Sequence, residues 1–411
     1  MRPRGVAYLG APPREHDMSA AALSARATFA PASRLLRRRA SFSSSVRASR
    51  ASMPSAPIAA TSSPRDFPDE MRAACEAVRL ASRLCVATQA ILRANERVQK
   101  QDDSPVTVAD FAAQAVVGHW LHVHHPDIAL VAEETADDLR GPEGAELLAK
   151  VTELVNSVLA DAPGASSLTP DAVADAIDRG AAEPSREGRF WILDPIDGTK
   201  GFINGRQYAI ALALMEDGDV TGGVLGCPNM QWDPIPRGAT EIPTASPGVL
   251  FAAHRSAGCV AAPCDARDPL DGDEAVPVTT RATTAGADAC YMESWGDSIV
   301  ADHGGTARLA DALGVSSPPV RIDSMAKYGA LARGDTDLYL RFPPATYREK
   351  VWDHAAGAAV VTAAGGVISD GAGKPLDFAA GRFLDVERGI VASATPELHA
   401  ELLAAIAAQR P

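Results

Sequence analysis

Three features that would suggest common functional classes are missing from this chain of 411 residues. Its six cysteines form no CxxC pair and have no histidine at zinc-finger spacing, which argues against a structural zinc site and favours reduced thiols. No run of about eighteen apolar residues occurs, so no membrane-spanning helix is expected. Aromatic residues make up only 5% of the chain, but 46% of it is hydrophobic, so the composition remains that of a globular protein.

Acidic residues are also absent from residues 18–64, a stretch rich in arginine and serine. A leader of this kind, without the apolar core of a secretory signal, is typical of an organelle transit peptide. We therefore expect residues 1–65 to be a disordered transit peptide that directs the protein to an organelle, with a chloroplast favoured over a mitochondrion. The alternative is a basic arm that binds nucleic acid.

The rest of the chain has the opposite charge. Residues 1–65 carry eleven arginines against two acidic residues, a net charge of +9, which leaves −22 on residues 66–411. This acidic part of the chain has no basic patch for a nucleic-acid backbone, so no nucleic-acid polymer is expected as a partner. A small phosphorylated substrate is compatible with this charge where metal ions supply positive charge locally. The sequence gives no sign of a partner protein.

Apolar periodicity predicts the secondary structure of the body. Residues 70–95 form one predicted helix, and Pro105 precedes a second that has Thr107 as its N-cap and Asp110 in its first turn. Short apolar runs predict strands at "DIALVAEE", "RFWIL", "YAIALALM" and "VTGGVLG", the last two joined by a turn at "EDGD". In the last third, helices and strands alternate, which is typical of a layered α/β domain.

These patterns predict an α/β protein with two domains behind the leader. The first, an α+β metal-binding domain, covers residues 66–233, with residues 141–189 as an insertion between strands. The second, an α/β substrate-binding domain, covers residues 234–411. Its beginning, from about residue 235 to 288, is expected to consist of loops and short strands.

Two aspartates end one of the predicted buried strands, in "WILDPIDGT". Burial would make Asp194 and Asp197 repel each other unless a cation neutralises them. Pro195 fixes its own φ, so the chain is expected to turn there and aim both carboxylates and the carbonyl of Ile196 at one point. Such an all-oxygen ligand set is the kind that Mg²⁺ prefers.

The residues that follow suit a phosphate, because Gly198 allows a close approach and its N–H and that of Thr199 begin a predicted helix. Each carboxylate alone also has a structural explanation. Asp110 could complete a capping box, Glu133 and Glu134 could be exposed strand-end charges, Asp194 and Asp197 could belong to ordinary turns, and Asp353 could lie on a solvated helix face.

Separated motifs carry a family resemblance. "DPIDGT" and "WDHAAG", with "VAEE" upstream, resemble the lithium-sensitive, Mg²⁺-dependent phosphomonoesterase superfamily that includes inositol monophosphatase. "SPVTVADFAAQ", "GRFWILDPIDGTKGF", "DSMAKYGALARGDTDLYLR" and "EKVWDHAAG" look like the 3′(2′),5′-bisphosphate nucleotidases within it. The resemblance runs from about residue 70 to 400. It implies an αβαβα sandwich and hydrolysis of the 3′-phosphate of adenosine 3′,5′-bisphosphate to give AMP, with the sulfated relative as a further candidate substrate.

The resemblance also implies roles for individual residues. Two or three Mg²⁺ ions would be held by the carboxylates of Glu133, Asp194, Asp197 and Asp353 and by the main-chain oxygen of Ile196. Asp110 and the Thr199 hydroxyl would act on the attacking water, and Glu133 would share in catalysis through the metal. The substrate would contact Asp197, Gly198, Thr199, Ser324, Lys327, Arg341 and Asp353. Of these, the cationic Lys327 and Arg341 suit a second phosphate that is not cleaved.

One segment departs from the nucleotidase pattern. "ESWGDSIVADHGG" stands where such nucleotidases typically read like "ESVEKAHSSHD", which places Ile299 at the usual histidine and His303 four residues later. The change favours an alternative substrate, an inositol monophosphate or inositol 1,4-bisphosphate. A third hypothesis, an inactive nucleotide sensor, conflicts with the presence of every expected metal ligand.

Overall fold

A computed structural model describes residues 67–95, 104–162, 164–270, 273–296 and 302–409 of the chain. The predicted transit peptide and Ile299 lie outside these described residues. Within them, no helix combines the length and the apolar character needed to cross a membrane.

Two long helices open the described chain. Helix α1 (Asp69–Asn95) confirms the helix predicted from apolar periodicity. Helix α2 (Ser104–His124) begins earlier than predicted, with Pro105 in its first turn, where the missing N–H costs no helical hydrogen bond. The prediction that Thr107 caps this helix is therefore wrong, and Asp110 lies beyond the first turn. A capping box does not explain Asp110.

Seven strands and three helices follow in the first part of the chain: β1 (Ala129–Ala132), α3 (Ala145–Leu159), α4 (Pro170–Asp178), β2 (Arg189–Asp197), α5 (Thr199–Ile203), β3 (Ala209–Glu216), β4 (Asp219–Cys227), β5 (Val249–His254), β6 (Gly258–Pro263) and β7 (Val276–Pro277). A 3₁₀ turn, Asp137–Leu139, follows β1.

Five strands and four helices make up the rest: β8 (Tyr291–Glu293), α6 (His303–Ala312), β9 (Val320–Arg321), α7 (Ala326–Ala332), β10 (Leu338–Arg341), α8 (Ala355–Ala363), β11 (Val367–Asp370), β12 (Ile390–Ser393) and α9 (Pro396–Ala408). Two 3₁₀ turns, Gly286–Asp288 and Val351–Asp353, lie before β8 and α8.

The first sheet contains β1 to β7 in sequence order. Strands β1 and β2 are parallel, and all later neighbours are antiparallel. A parallel pair needs a crossover connection, and the segment between β1 and β2 supplies it with helices α3 and α4. The tight turn between β3 and β4 places Asp217 and Gly218 at positive φ, 48° and 89°, which confirms the predicted turn.

The second sheet has the strand order β11-β12-β10-β8-β9. Strand β8 pairs in parallel with β9 and β10, while β12 is antiparallel to β10 and β11. The predicted alternation of helices and strands is confirmed for α6 to β11. Strand β12 and helix α9 were not predicted.

Among the described residues, three apolar cores fill the spaces between five layers, and the second core covers both sides of the middle helices. Alternate residues of β2 face opposite cores: Trp191 and Leu193 pack with α1 to α4, while Phe190 and Ile192 pack with α7, α8 and the inner face of the second sheet. The outer face of the second sheet packs against α6 and α9 through residues such as Leu309. The order helix, sheet, helix, sheet, helix confirms the expected αβαβα sandwich.

The first sheet extends past residue 233, the predicted end of the first domain. Strands β5 to β7 lie beyond that residue yet pair with β4 and with each other, so by sheet membership the change comes between Pro277 and Tyr291. The region expected to hold loops and short strands thus contributes two six-residue strands to the first sheet. The division into domains and the status of residues 141–189 as an insertion stay predictions.

Candidate active site

A polar cleft of about 210 Å³ lies where strand β2 ends. It is lined by eight of the residues predicted for metal, catalysis or substrate, which come from β2, the start of α5, β10 and the segments after β1 and before α8: Glu133, Asp194, Ile196, Asp197, Gly198, Thr199, Arg341 and Asp353. Tyr347 and Lys350 complete the lining. The fold therefore brings all five predicted metal ligands to one place.

A β-bulge aims the two aspartates of β2. Asp194 pairs with Ala211 and Asp197 pairs with Ala209, so two residues of β2 stand opposite the single residue Ile210 of β3. Residues three apart in a regular strand point to opposite faces, and one extra residue brings them to the same face. Pro195 fits because a bulge tolerates a missing N–H. The turn predicted at Pro195 does not form. Instead, the chain continues as a bulged strand to Asp197.

Asp194 is the most enclosed carboxylate of the cleft. It is 2% exposed, and its Oδ1 atom is buried without a hydrogen-bond partner among the described residues. Burial raises the pKa of Asp194 well above its usual value, and the nearby charges of Glu133, Asp197, Asp353 and Asp110 raise it further. A buried anionic oxygen without a donor is costly unless a cation meets it.

Asp197 and Asp353 share this electrostatic environment. Burial raises the pKa of Asp197 to about 6, although Lys327, the Met325 N–H and Arg341 act in the opposite direction. Burial also raises the pKa of Asp353 to about 6, against the opposing charge of Arg341. Tyr347 donates its hydroxyl to Asp353 Oδ2 at 3.4 Å. Both groups hold protons more readily than isolated aspartates do.

Asp110 approaches the cleft from helix α2. It is not one of the lining residues, but burial raises its pKa well above the usual value, and Glu134 and Glu133 raise it further. Thr199, at the start of α5, donates its hydroxyl to the Ile196 carbonyl at 3.5 Å. The two predicted catalytic groups thus lie beside the predicted metal ligands, and their roles stay predictions.

Gly198 connects the cleft to the second half of the chain. Its φ is 85°, and a Cβ atom placed on it would lie 2.7 Å from the Cβ of Ser324. Ser324 itself has a φ of 66° and accepts a hydrogen bond from the Ala326 N–H at 3.1 Å. Glycine is therefore required at position 198 both for its backbone conformation and for the close approach of Ser324.

The predicted substrate residues are not all placed in the cleft lining. Arg341 lines it, but Ser324 and Lys327 do not. Lys327 is 2% exposed and donates to the Ile322 carbonyl at 3.0 Å. Burial lowers the pKa of its ammonium to about 8, although the negative charge of Asp197 opposes this shift. Direct substrate contacts by Ser324 and Lys327 stay predictions.

Two lining residues were missed from the sequence. Lys350 donates a hydrogen bond to Glu133 Oε1. Burial alone would lower the pKa of Lys350, but the hydrogen bond to Glu133 and the surrounding carboxylates raise it. Tyr347 contacts Asp353, as described above. Lys350 belongs to the quoted string "EKVWDHAAG", so its position beside the predicted ligand Asp353 was the available signal.

The donor atoms of the cleft fit magnesium. Carboxylates and a main-chain carbonyl are hard oxygen ligands, and the unpartnered oxygen of Asp194 lies among them. A second group of donors, in Glu349, Asp353 and His354, lies within 4.8 Å of one another. It does not fit a metal, because both oxygens of Glu349 already accept hydrogen bonds from Arg341 and one also contacts His354.

Comparisons with known proteins identify relatives of this chain. A protein of Oryza sativa named 3′(2′),5′-bisphosphate nucleotidase is 44% identical over 343 residues, covering 82% of this chain and 93% of that protein. A similar protein of Emericella nidulans with the same name is 40% identical over 341 residues, covering 79% and 94%. The solved structure of the extragenic suppressor protein suhB of Bartonella henselae covers 83% of this chain and 99% of its own at 17% identity, with a TM-score of 0.51, which supports the fold alone.

The sequence model of one family matches residues 68–410, which is most of the chain. The chain therefore belongs to the inositol monophosphatase family.

Proposed function

We propose that the protein hydrolyses the 3′-phosphate of adenosine 3′,5′-bisphosphate to give AMP and phosphate. The observation that carries this proposal is the convergence of four carboxylates and one main-chain carbonyl on a cleft that also contains Arg341. Relatives from Oryza sativa and Arabidopsis thaliana that cover most of the chain are named 3′(2′),5′-bisphosphate nucleotidases, which supports the choice of substrate.

The family is metal dependent, and the cofactor proposed here is Mg²⁺, two or three ions. Glu133, Asp194, Asp197 and Asp353 would hold the ions, together with the Ile196 carbonyl. Bound Mg²⁺ supplies positive charge against phosphate oxygens and lowers the pKa of water.

The chain's own groups orient the reactants. The Asp110 carboxyl, whose pKa burial raises, can take up a proton beside the site, and the Thr199 hydroxyl can turn from the Ile196 carbonyl towards a water molecule. Gly198 keeps the wall beside Ser324 free of side-chain atoms, so that a phosphate can approach the backbone. Among the described residues, the cleft lining contains no histidine and no cysteine, and its carboxylates suit attack by water.

Arg341 is the group that favours a bisphosphate substrate. Its guanidinium lies at the edge of the carboxylate site, with Nη2 3.6 Å from Asp353 Oδ2. A fixed guanidinium binds phosphate oxygens through several N–H groups. Arg341 would therefore bind the phosphate that is not cleaved. The sulfated relative of the substrate has a phosphate at the same position and is a further candidate.

The second candidate substrate is an inositol monophosphate or inositol 1,4-bisphosphate. The altered segment "ESWGDSIVADHGG" favours it, since the usual histidine position holds Ile299. A panel of purified substrates separates the two proposals: adenosine 3′,5′-bisphosphate, inositol monophosphate and inositol 1,4-bisphosphate, each with saturating Mg²⁺. We expect the highest kcat/KM for the nucleotide. A higher value for either inositol phosphate would overturn the nucleotide assignment.

The plant relatives and the N-terminal extension are compatible with an organelle-targeted protein. We propose the chloroplast as its destination, on the basis of the arginine-rich and serine-rich composition of residues 1–65. Fusing residues 1–65 to a fluorescent protein in plant cells tests this. Fluorescence in mitochondria, or in the cytosol, would contradict the proposed destination.

A further inference from the structure

Arg341 is held by a buried carboxylate behind the cleft. Glu349, which is 1% exposed, accepts two hydrogen bonds from Arg341, one from Nε to Oε1 and one from Nη2 to Oε2, each of 2.7 Å. A guanidinium has five N–H donors, so this pair leaves three of them, including both on Nη1. The contact therefore fixes the plane of the guanidinium and determines which donors remain for other acceptors.

The contact is the first link of a buried chain. His354 Nε2 lies 3.0 Å from Glu349 Oε2, and the Tyr328 hydroxyl lies 2.7 Å from His354 Nδ1. Ionised Glu349 can only accept, so Nε2 of His354 carries a proton, and Nδ1 shares a hydrogen bond with the Tyr328 hydroxyl. The exposed fractions of His354 and Tyr328 are 0% and 1%. The chain is therefore shielded from solvent along its length.

The far end of the chain is fixed by packing. A Cβ atom on Gly357 of helix α8 would lie 2.0 Å from Cδ2 of Tyr328, so the tyrosine ring occupies the space that a side chain would need. The ring also packs edge-on against Tyr339, at 4.7 Å between centroids. The two motifs "MAKYG" and "EKVWDHAAG", from different elements, thus meet in one hydrogen-bonded unit.

We propose that Glu349, His354 and Tyr328 are positioning residues that fix the Arg341 guanidinium, so that N–H groups not bound to Glu349 face the phosphate that is not cleaved. The inference rests on the proposed function and specifies how the substrate's second phosphate is selected. Because the Arg341–Glu349 pair has no net charge, Arg341 must attract phosphate mainly through the direction of its donors. Positioning is therefore more important here than for an unpaired arginine.

The direction in which one substitution changes KM separates positioning from simple charge balance. Glu349→Gln keeps the side-chain size but removes the negative charge and one charged acceptor. If Glu349 only balanced charge, its loss would leave a stronger cation and would lower KM for a bisphosphate. If Glu349 positions Arg341, the same loss would raise KM, because a neutral amide neither holds the guanidinium as tightly nor presents two acceptor oxygens.

The experiment compares adenosine 3′,5′-bisphosphate with adenosine 3′-phosphate, which lacks the second phosphate, at saturating Mg²⁺. For Glu349→Gln we expect KM for the bisphosphate to rise about tenfold and KM for the monophosphate to change less than about twofold, with kcat nearly constant for both. Tyr328→Phe removes the hydroxyl that contacts His354 and should give the same pattern at about threefold.

Asp335→Asn is the matched control, since Asp335 is a buried carboxylate (2% exposed) that pairs with Nε and Nη2 of Arg333 but does not line the cleft. It should leave the ratio of the two KM values unchanged. An unchanged or lowered bisphosphate KM in Glu349→Gln, or equal losses on both substrates, would overturn the inference. If the Glu349→Gln variant does not fold, the KM values of Tyr328→Phe for the two substrates test the inference in the same way. The wild-type enzyme is assayed before any variant, because its failure to hydrolyse the bisphosphate would refute the proposed function itself.

Discussion

Lys350 donates a hydrogen bond to Glu133 across the cleft, although the two residues are 217 positions apart in the chain. The contact places an ammonium group on a carboxylate that is expected to bind Mg²⁺. In the free protein, Lys350 thus supplies part of the positive charge that the carboxylates need, and it competes with a metal for Glu133.

Replacing Lys350 with methionine should therefore tighten the binding of Mg²⁺ to the free protein, by several-fold, because the competing cation is lost. Isothermal titration with Mg²⁺ alone measures this. Lys374→Met is the matched control, since Lys374 pairs with Glu387 at 3.0 Å on an exposed surface. Weaker Mg²⁺ binding in Lys350→Met than in the control variant would show that Lys350 supports the metal site instead.

Asp194→Asn should separate catalysis from stability. The buried carboxylate of Asp194 has an oxygen without a hydrogen-bond partner, so its replacement by a neutral amide should raise the Tm of the metal-free protein. The same change removes a shared metal ligand and should lower kcat by about a thousandfold or more. Thermal unfolding in a chelator and a phosphate-release assay measure the two effects. Activity close to that of the wild-type protein would contradict the proposed site and would favour the inactive sensor.

The order of elements was largely predictable because it depends on local patterns. Apolar periodicity indicated α1, and the composition of "WILDPIDGT" marked the end of β2 as a cluster of carboxylates. The bulge was not predictable, since it depends on which residue of β3 stands opposite Pro195 and Ile196. A sequence pattern specifies a strand but not the register of its partner.

Contacts between distant residues account for the other differences. Nothing in the sequence near Glu133 indicates Lys350, and the left-handed backbone of Ser324 has no glycine to mark it. The family resemblance placed Lys327 at the substrate, but the burial of its ammonium depends on how α7 packs between the sheets. Such features arise from tertiary packing and therefore need the folded structure.

The contribution of Asp197 and Asp353 to the stability of the metal-free protein should fall as pH rises from about 4 to above 6. The folded-state pKa values of Asp197 and Asp353 are about 6, above the ordinary value of 3.8. A carboxyl with a raised folded-state pKa contributes stability that is present below its unfolded pKa and is lost as pH rises through the folded one.

Mg²⁺ competes with these protons, so its stabilising effect should follow the opposite trend. We expect the increase in Tm on adding Mg²⁺ to be larger at pH 7.5 than at pH 5, and the apparent Mg²⁺ affinity to weaken below about pH 6. Thermal unfolding over this pH range, with and without Mg²⁺, checks both statements. An increase in Tm that does not depend on pH would mean that the cleft carboxylates do not bind the ion.

Gly198→Ala should lower both stability and activity. Gly141→Ala serves as the control that separates backbone strain from loss of close approach. Gly198 and Gly141 have nearly the same φ, 85° and 87°, but a Cβ on Gly198 would lie 2.7 Å from Ser324, whereas a Cβ on Gly141 would meet nothing within 4 Å. Gly141→Ala should therefore cost only the backbone strain, about 1 kcal/mol of unfolding free energy. Gly198→Ala should cost more and should also displace Thr199 and the Ser324 wall, which lowers kcat/KM at least tenfold. Denaturant unfolding and steady-state kinetics on both variants measure the difference, and equal effects in the two would remove the requirement for close approach at Gly198.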